Sequence, residues 1–394
     1  MFLEILITLI CGIGLGIITG LIPGVHVNLI SVLLLSLSLY LTEFLSPIQI
    51  AIIIISMAIT HSFLDTIPSV FLGVPEEDTA LSILPGHRLL LEGRGFEAVM
   101  LTVFGSLGGL LLAFVCIPLL LVIVGPVYAV IQNYIGWILL TVSCFMILRD
   151  NKKLWALFVF VLSGALGLFV LNMQVDNILF PLFSGLFGVS MLLMNLQDNI
   201  KIPIQEITSV EINGGLKAIS CAVVVGWMAS FLPGLGAAQA AVIGSQFVKL
   251  SEKAFMILVG GLSTVNMLLS LVTFYVLDKA RNGAIVAVSE IVSIGFYDLL
   301  IFLTVALTVG GVASLLAIKL TKVFSRLIGK VNYKKLCISI IIFITSLVAI
   351  LSGWIGLGVL VISTALGLIP PIKGIPRSHM MGCLLVPVMS YFLL

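Results

Sequence analysis

The chain has 394 residues, of which 61% are hydrophobic and 9% are charged, whereas soluble domains average about 45–50% apolar and about 25% charged residues. Because so few charges cannot cover a water-soluble protein of this size, the composition excludes a soluble enzyme and predicts a multi-pass integral membrane protein. The 19 basic and 17 acidic residues leave a net charge of +2, so nucleic-acid binding is excluded as well.

Hydrophobic stretches follow one another along the chain, as expected for an all-α protein whose spans each need about 20 apolar residues. They lie at 5–22, 25–42, 47–72, 98–124, 127–148, 153–171, 177–196, 216–232, 235–248, 254–277, 284–318, 335–352, 354–370 and 378–393. The polar stretches between them are too short for a soluble domain. We therefore expect a multi-pass protein of the cell (plasma) membrane.

Two long hydrophobic regions are interrupted by a Pro-Gly dipeptide. The interruptions are Pro23-Gly24 within 5–42 and Pro233-Gly234 within 216–248. Proline cannot continue the hydrogen-bond ladder of a helix, so each interruption leaves free backbone N–H and C=O groups. In a membrane such groups persist only inside protein or against a water-filled cavity. Each region is therefore predicted to form a re-entrant helical hairpin.

The order of these elements predicts an internal repeat, with halves at 1–196 and 214–394 joined by a polar linker at 197–213. In each half the broken hairpin is followed by about five transmembrane helices. A polar loop follows the first of these spans, with GRGFEAV at 93–99 in the first half and ARNGAIVAV at 280–288 in the second.

The basic loops at 149–153 and 319–335 are predicted to be cytoplasmic, because Lys and Arg are enriched on that side of a membrane. Counting spans from them places the first hairpin as entering from outside and the second as entering from inside. The two halves are then inverted. Inverted repeats with interrupted helices are typical of secondary transporters, so transport is the leading functional class.

The first Pro-Gly tip is a candidate substrate site. It consists of Pro23 and Gly24, with His26 and Asn28 in the first turn of the next half-helix. Free N–H groups and the positive end of a helix favour a carboxylate or phosphate, and His26 has a side chain that titrates near neutral pH. The alternative is a simple kink, with His26 bound to a neighbouring carbonyl.

The second tip matches the first, with Pro233, Gly234 and Gly236 at the break and Gln239 as the counterpart of Asn28. No histidine corresponds to His26. Asn266 follows a few turns later in an apolar stretch, which makes it a candidate pore-lining amide.

Charged residues flank the predicted spans. Arg94 and Arg281 occupy matching positions in the two halves and are candidate substrate-binding cations, because arginine suits carboxylates and phosphates. Glu76, Glu77 and Asp78 form an acidic triplet that is a candidate for holding a proton or cation, although its ligand spacing is poor for a metal. The alternative for both sets is an ordinary solvated loop.

His61 and Asp65 lie four residues apart within an apolar stretch, so they share one face of a helix. They are candidates for proton or ion coupling, or they simply neutralise each other. An intramembrane enzyme acting on lipid phosphates would use these two residues with His87. No nucleotide loop, Ser-His-Asp arrangement or metal-binding motif is present, so we expect neither catalysis nor a bound cofactor or metal.

These motifs resemble those of the large membrane subunit of the tripartite tricarboxylate transporters, in an archaeal-type branch. The matching positions are Gly16 to Gly24 at the first tip, then Gly73, Pro75, Gly86, Gly93, Arg94, Glu97 and Ala98, and finally Pro233, Gly234 and Gly236. The resemblance implies a secondary transporter of a di- or tricarboxylate. It further implies a small membrane subunit and an extracytoplasmic binding protein as partners.

The first tip is also similar to the Pro-Gly tips of polyprenyl-phosphate transporters, so a lipid-carrier phosphate is the alternative substrate. Coupling to Na⁺ or H⁺ is expected in place of ATP, since the chain has no nucleotide-binding loop. A homodimer is a common companion of paired hairpins and is expected by analogy.

Overall fold

A computed structural model describes residues 2–22, 27–73, 83–173, 175, 178–197, 203–207, 210–212, 214–231, 236–280, 282–329 and 332–394. All regular structure in these ranges is helical, which confirms the predicted all-α class. The helices are α1 (Phe2–Leu21), α2 (Val27–Ser36), α3 (Ser38–Leu41), α4 (Pro47–Leu64), α5 (Thr66–Leu72), α6 (Ile83–Leu91), α7 (Gly95–Ile131), α8 (Ile135–Arg149), α9 (Lys153–Leu171), α10 (Leu179–Phe183), α11 (Ser190–Gln197), α12 (Gly215–Phe231), α13 (Ala237–Phe247), α14 (Glu252–Leu277), α15 (Gly283–Ile291), α16 (Phe296–Ile328), α17 (Tyr333–Lys373) and α18 (Gly382–Leu393).

Seven helical segments in the described ranges are long and apolar enough to cross a membrane. Large apolar side chains such as Val115 and Val122 on α7 and Trp354 on α17 lie on the outer surface, as expected for a surface that faces lipid. In contrast, the chain from Ile50 to Phe71 across α4 and α5 is buried, and so is most of α14. The protein is therefore a multi-pass membrane protein with two helical segments enclosed at its centre.

Most predicted stretches coincide with helices, but 284–318 is divided between α15 and α16, and α16 continues to Ile328, into the basic segment predicted as a loop at 319–335. The chain at 280–288 was expected to be a loop, and the structure instead begins α15 at Gly283 because the Asn282 side chain accepts a hydrogen bond from Ala284 N–H (2.9 Å). The apolar face of α15 is buried. Likewise Gly95 already begins α7, so most of the segment expected as a loop at 93–99 is the first turn of a long helix.

Glycines set the close packing between α1 and α4. Gly12, Gly16 and Gly20 face α4, where Gly16 lies against Thr60 and Gly20 lies against Leu64. Residue numbers rise together along the two helices, so α1 and α4 run parallel. Small residues at this spacing let helix backbones approach closely, which is the main source of helix attraction in a membrane.

A second close contact joins the two halves of the chain, where α7 packs in parallel against α14. Gly105 and Gly109 of α7 lie against the backbone of α14 at Gly261, and the Ser106 hydroxyl donates a hydrogen bond to the Gly260 carbonyl (2.9 Å). A Cβ atom on Gly105 would overlap the Ile257 carbonyl oxygen. The long helix of the first half is thus fitted to the central helix of the second.

The remaining helices form a second group, in which helices of the first half again pack against helices of the second half. Gly167 of α9 lies against the backbone of Cys383 in α18, and Gly367 of α17 lies against Leu186 in a π-helical turn at Ser184–Val189. Helix α17 contains a backbone break at Gly353 (φ 61°), between the two stretches predicted as separate spans. We call α8 to α11, α17 and α18 the outer group, and the helices around α4 and α14 the central group.

We expect Gly105→Ala to destabilise the protein by about 1–3 kcal/mol, because the added methyl group forces α7 away from the α14 backbone. The matched control is Gly125→Ala on the same helix, where the nearest atom, Val276 Cγ1, lies 3.9 Å from the new Cβ. The thermal midpoint of each variant purified in detergent provides the measurement. Equal midpoints for the two variants would contradict this account of the packing.

Candidate functional site

The two buried central helices meet at a hydrogen bond between hydroxyl groups. Ser62 of α4 and Thr264 of α14 lie 3.0 Å apart, and Ser62 also donates to the Ile59 carbonyl (2.9 Å). Either of the two hydroxyl groups can be the donor in this contact. Both side chains are buried, so this contact places polar groups deep in the protein, between the halves.

The end of α1 lies beside the joint between α4 and α5. Gly20, close to the end of α1, lies against His61 and Leu64. Asp65 forms the joint, where its N–H donates to the His61 carbonyl (2.9 Å) and its carbonyl accepts from the Ser69 hydroxyl (2.9 Å). His61 and Asp65 are both buried. The predicted coupling residue His61 therefore lies against the end of α1, the helix that leads to the predicted substrate tip.

The N-terminal turn of α2 meets the N-terminal turn of α15, although 255 residues separate their contacting residues. A Cβ atom on Gly283 would lie 2.6 Å from Asn28 Cγ, so the Asn28 side chain packs directly on the Gly283 backbone. Gly283 is two residues after Arg281. The structure thus brings the chain around Arg281 to the chain that follows the first tip.

The end of α12 lies beside the last part of α14. The Ser230 hydroxyl near the end of α12 shares a hydrogen bond with the Thr273 hydroxyl (2.9 Å) and lies 2.7 Å from the Trp227 carbonyl oxygen. Gly236 is the residue that precedes α13. Asn266 is half-buried on α14, and its carbonyl accepts a bond from the Ser270 hydroxyl.

Several predicted site residues lie outside the described residues. They are Pro23, Gly24, His26, Glu76, Glu77, Asp78, Pro233, Gly234 and Arg281. Gln239 lies within α13, and its side chain is outside the description. The roles proposed for these residues stay predictions.

Arg94 is placed at the start of α7 and is neutralised by acidic neighbours. Its guanidinium lies 2.7 Å from Glu97 and 3.6 Å from Glu92, and the other Glu97 oxygen lies 2.7 Å from Lys253 of α14. This cluster ties α7 to α14. As a substrate cation Arg94 would first have to exchange a carboxylate partner, so its binding role remains a prediction.

His87 is buried in α6, where its Nδ1 lies 3.0 Å from the Val70 carbonyl oxygen. Burial lowers the pKa of His87 below the ordinary value, against an opposing effect of the Val70 hydrogen bond. It is therefore suited to a neutral, structural role that joins α6 to α5. Among the residues that the structure describes, no group of three His, Cys, Asp or Glu side chains is arranged to hold a metal ion.

The polar contacts of Ser62, Thr264, Ser230 and Thr273 were not predicted from the sequence. Serine and threonine are common in apolar helices and usually bond to their own backbone, so periodicity alone did not distinguish these four. A signal exists in GGLSTVNMLL, where small and polar residues accumulate in a stretch that becomes part of the buried α14.

Comparison with known proteins then decides the family. The sequence model of the tripartite tricarboxylate transporter TctA family matches residues 6–382. The chain belongs to this family. The TctA match covers both halves and both helix interruptions, so the resemblance noted in the motifs is confirmed at the level of the family.

A related protein also matches nearly the whole chain. The chain is 32% identical over 406 aligned positions to an uncharacterized protein of Methanocaldococcus jannaschii, covering 98% of this chain and 99% of the relative. No solved structure matches the chain. As a TctA-family member it is a multi-pass membrane transporter protein, and the plasma membrane is its expected location.

We expect the contact between Ser62 and Thr264 to contribute a coupling free energy of about 1 kcal/mol, as for other hydrogen bonds inside proteins. The measurement is a double-mutant cycle with Ser62→Ala and Thr264→Val, followed by unfolding in sodium dodecyl sulfate. Thr308→Val replaces Thr264→Val as the control, because Thr308 is exposed and bonds only within its own helix. A coupling no larger than in the control cycle would contradict the assignment.

Proposed function

We propose that this TctA-family chain carries a di- or tricarboxylate across the membrane, and that the substrate binds beside the first helix interruption. The observation that carries the proposal is the meeting of α2 and α15 at Asn28 and Gly283. Membership of the family supports transport of tricarboxylate-type substrates. The contact between α2 and α15 supports a position for the bound anion near Asn28.

Two helix N-termini at one place favour an anion. The first turn of each helix has N–H groups without partners inside the helix, and the helix dipole adds partial positive charge there. Helices α2 and α15 have 10 and 9 residues, so both dipoles extend over several turns. Arg281 and His26, which precede α15 and α2 closely in sequence, would add a fixed charge and a titratable group.

We further propose that transport is coupled to Na⁺ or H⁺ and that the two halves form an inverted repeat. In support, Gly86 of α6 contacts both Val70 near the end of α5 and Met256 near the start of α14. With the contact between Ser62 and Thr264, this means that the two central helical segments run in opposite directions. His61 and Asp65 are buried, and His61 lies against Gly20 near the end of α1, which supports these two residues as the proposed coupling groups.

The family also supports working partners for the chain. TctA proteins are the large subunits of tripartite systems, so we propose a small membrane subunit and a binding protein here as well. The M. jannaschii relative supports placing the chain in an archaeal-type branch.

A lipid-carrier phosphate is the second candidate substrate, because an apolar groove runs between α8 and α12. The groove has a volume of about 710 Å³ and is lined mainly by aliphatic side chains, including Val142 and Val224, with Lys217 as its cationic residue. Val224 and Leu216 are exposed on the surface. A prenyl chain with a phosphate near Lys217 would fit this chemistry.

The two candidates differ in the ligand that stabilises the purified protein. We expect citrate, succinate or tartrate to raise the melting temperature, because a ligand that binds only the folded state shifts unfolding by mass action. Inorganic phosphate and a short-chain polyprenyl phosphate complete the panel, each with and without sodium. A shift with the polyprenyl phosphate alone would replace the carboxylate proposal with the lipid-carrier one.

We expect Asn28→Asp to weaken carboxylate binding by at least about tenfold, because a new negative charge of nearly the same shape would repel the substrate. The matched control is Asn332→Asp, which makes the same change at the exposed N-cap of α17. Titration of the stabilising carboxylate against each variant measures the effect. Unchanged affinity in Asn28→Asp would place the substrate elsewhere.

A further inference from the structure

A second polar cavity lies where the central and outer groups meet. It has a volume of about 350 Å³ and lies between α6, the end of α13, the start of α14 and the segment at 376–378 that precedes α18. The helices around it differ from those at Asn28 and Gly283. Its lining includes Arg88, Ser245, Arg377 and Ser378, so it is much more polar than the groove beside α8.

Arg377 is the unusual residue of this cavity. Its Nη1 donates to the Phe187 carbonyl (3.1 Å) and to the Ser190 hydroxyl (3.1 Å), both of which are uncharged. Within the described part of the chain, Arg377 has no salt bridge, and its Nε and Nη2 make no hydrogen bond. Burial lowers the pKa of Arg377 to about 10, so the group still carries its charge at neutral pH.

The other charged side chains around the cavity leave this charge uncompensated. Arg88 pairs with Glu252, so these two cancel. Arg149 of α8 lies close by, since it donates to the Gln246 side chain, which also lines the cavity. Among the described residues of the outer group, the acid near this cavity is Asp150, which pairs with His379 (3.0 Å). Of the described charged residues that line the cavity, Arg377 is therefore left uncompensated, and Arg149 adds a second positive charge nearby.

A partly buried guanidinium with unused donors is suited to a carboxylate or phosphate, which accepts two parallel N–H bonds from arginine. Leaving such a charge unpaired is costly, because burial removes water that an exposed arginine would keep. An anion in the cavity would supply the missing charge. It would also contact both helix groups at once, since Arg377 belongs to the outer group and Ser245 belongs to α13.

We propose that Arg377 forms an anion-binding site for a carboxylate or phosphate in the cavity between the two helix groups. The site lies on the side of the membrane that the basic loops predict to be cytoplasmic, because Asp150 in the first of those loops contacts the helical turn that contains Arg377. It is distinct from the substrate site proposed at Asn28. A bound anion there links the central group to the outer group.

The test uses a thiol placed inside the cavity. In the full-length protein carrying Ser245→Cys, the rate at which N-ethylmaleimide modifies residue 245 is followed by peptide mass spectrometry, which separates it from the six native cysteines. Citrate and inorganic phosphate are titrated. We expect each bound anion to slow modification, and Arg377→Gln to weaken that protection by about tenfold or more, as for loss of a charged hydrogen-bond partner.

Two further variants separate charge from folding. Ser378→Asp keeps the guanidinium and its bonds to Phe187 and Ser190, and it should abolish protection by placing a competing carboxylate in the cavity. Arg326→Gln removes an exposed positive charge from the end of α16 and should leave protection unchanged.

The lipid composition of the membrane distinguishes a soluble anion from a lipid headgroup. Protection by citrate or phosphate in phosphatidylcholine nanodiscs identifies a soluble anion, whereas protection in nanodiscs with phosphatidylglycerol and no added anion identifies a lipid headgroup. Absence of protection under all conditions, or equal protection with Arg377→Gln, would overturn the proposal. Because the reporter is local to residue 245, these outcomes do not depend on whether the carboxylate transport proposal holds.

Discussion

The hydrocarbon core of a membrane offers no water, so each interruption of a helix must be enclosed by protein or line a polar cavity. The rest of this structure depends on that constraint. The helix pairs that flank the interruptions, α1 with α2 and α12 with α13, pack against the two most buried helical segments of the chain. This packing places the ends of α1 and α12 against the central helices.

Close packing of glycines makes this enclosure possible. Gly16 on α1 and Gly105 on α7 bring their helices almost to backbone contact with α4 and α14, which large side chains would prevent. The contact at Gly105 joins the two halves of the chain. In the outer group, Gly167 and Gly367 likewise bring helices of the two halves into contact. Consequently the buried hydrogen bond between Ser62 and Thr264 depends on both halves of the chain.

Charge is distributed unevenly over the protein. Glu97 accepts from Arg94 and from Lys253, so that cluster is balanced and serves to join helices. Among the described residues, the acceptors of Arg377 are all neutral, so its charge remains available to a ligand. The two arginines show that the residue type alone does not identify an anion site, because the neighbouring carboxylates decide whether the charge is already used.

Hydropathy and the two Pro-Gly dipeptides were sufficient to predict a multi-pass helical membrane protein with interrupted helices, because span length and backbone satisfaction are local requirements. Motifs in the right order were sufficient to indicate the family. The prediction of a polar loop at 280–288 was wrong. From Gly283 this segment forms α15, because burying its apolar face against neighbouring helices favours a helix more strongly than its polar first residues favour a loop. The contact of Asn28 with Gly283 and the unpaired charge of Arg377 were decided only by the tertiary structure, because both depend on segments far apart in sequence that packing brings together.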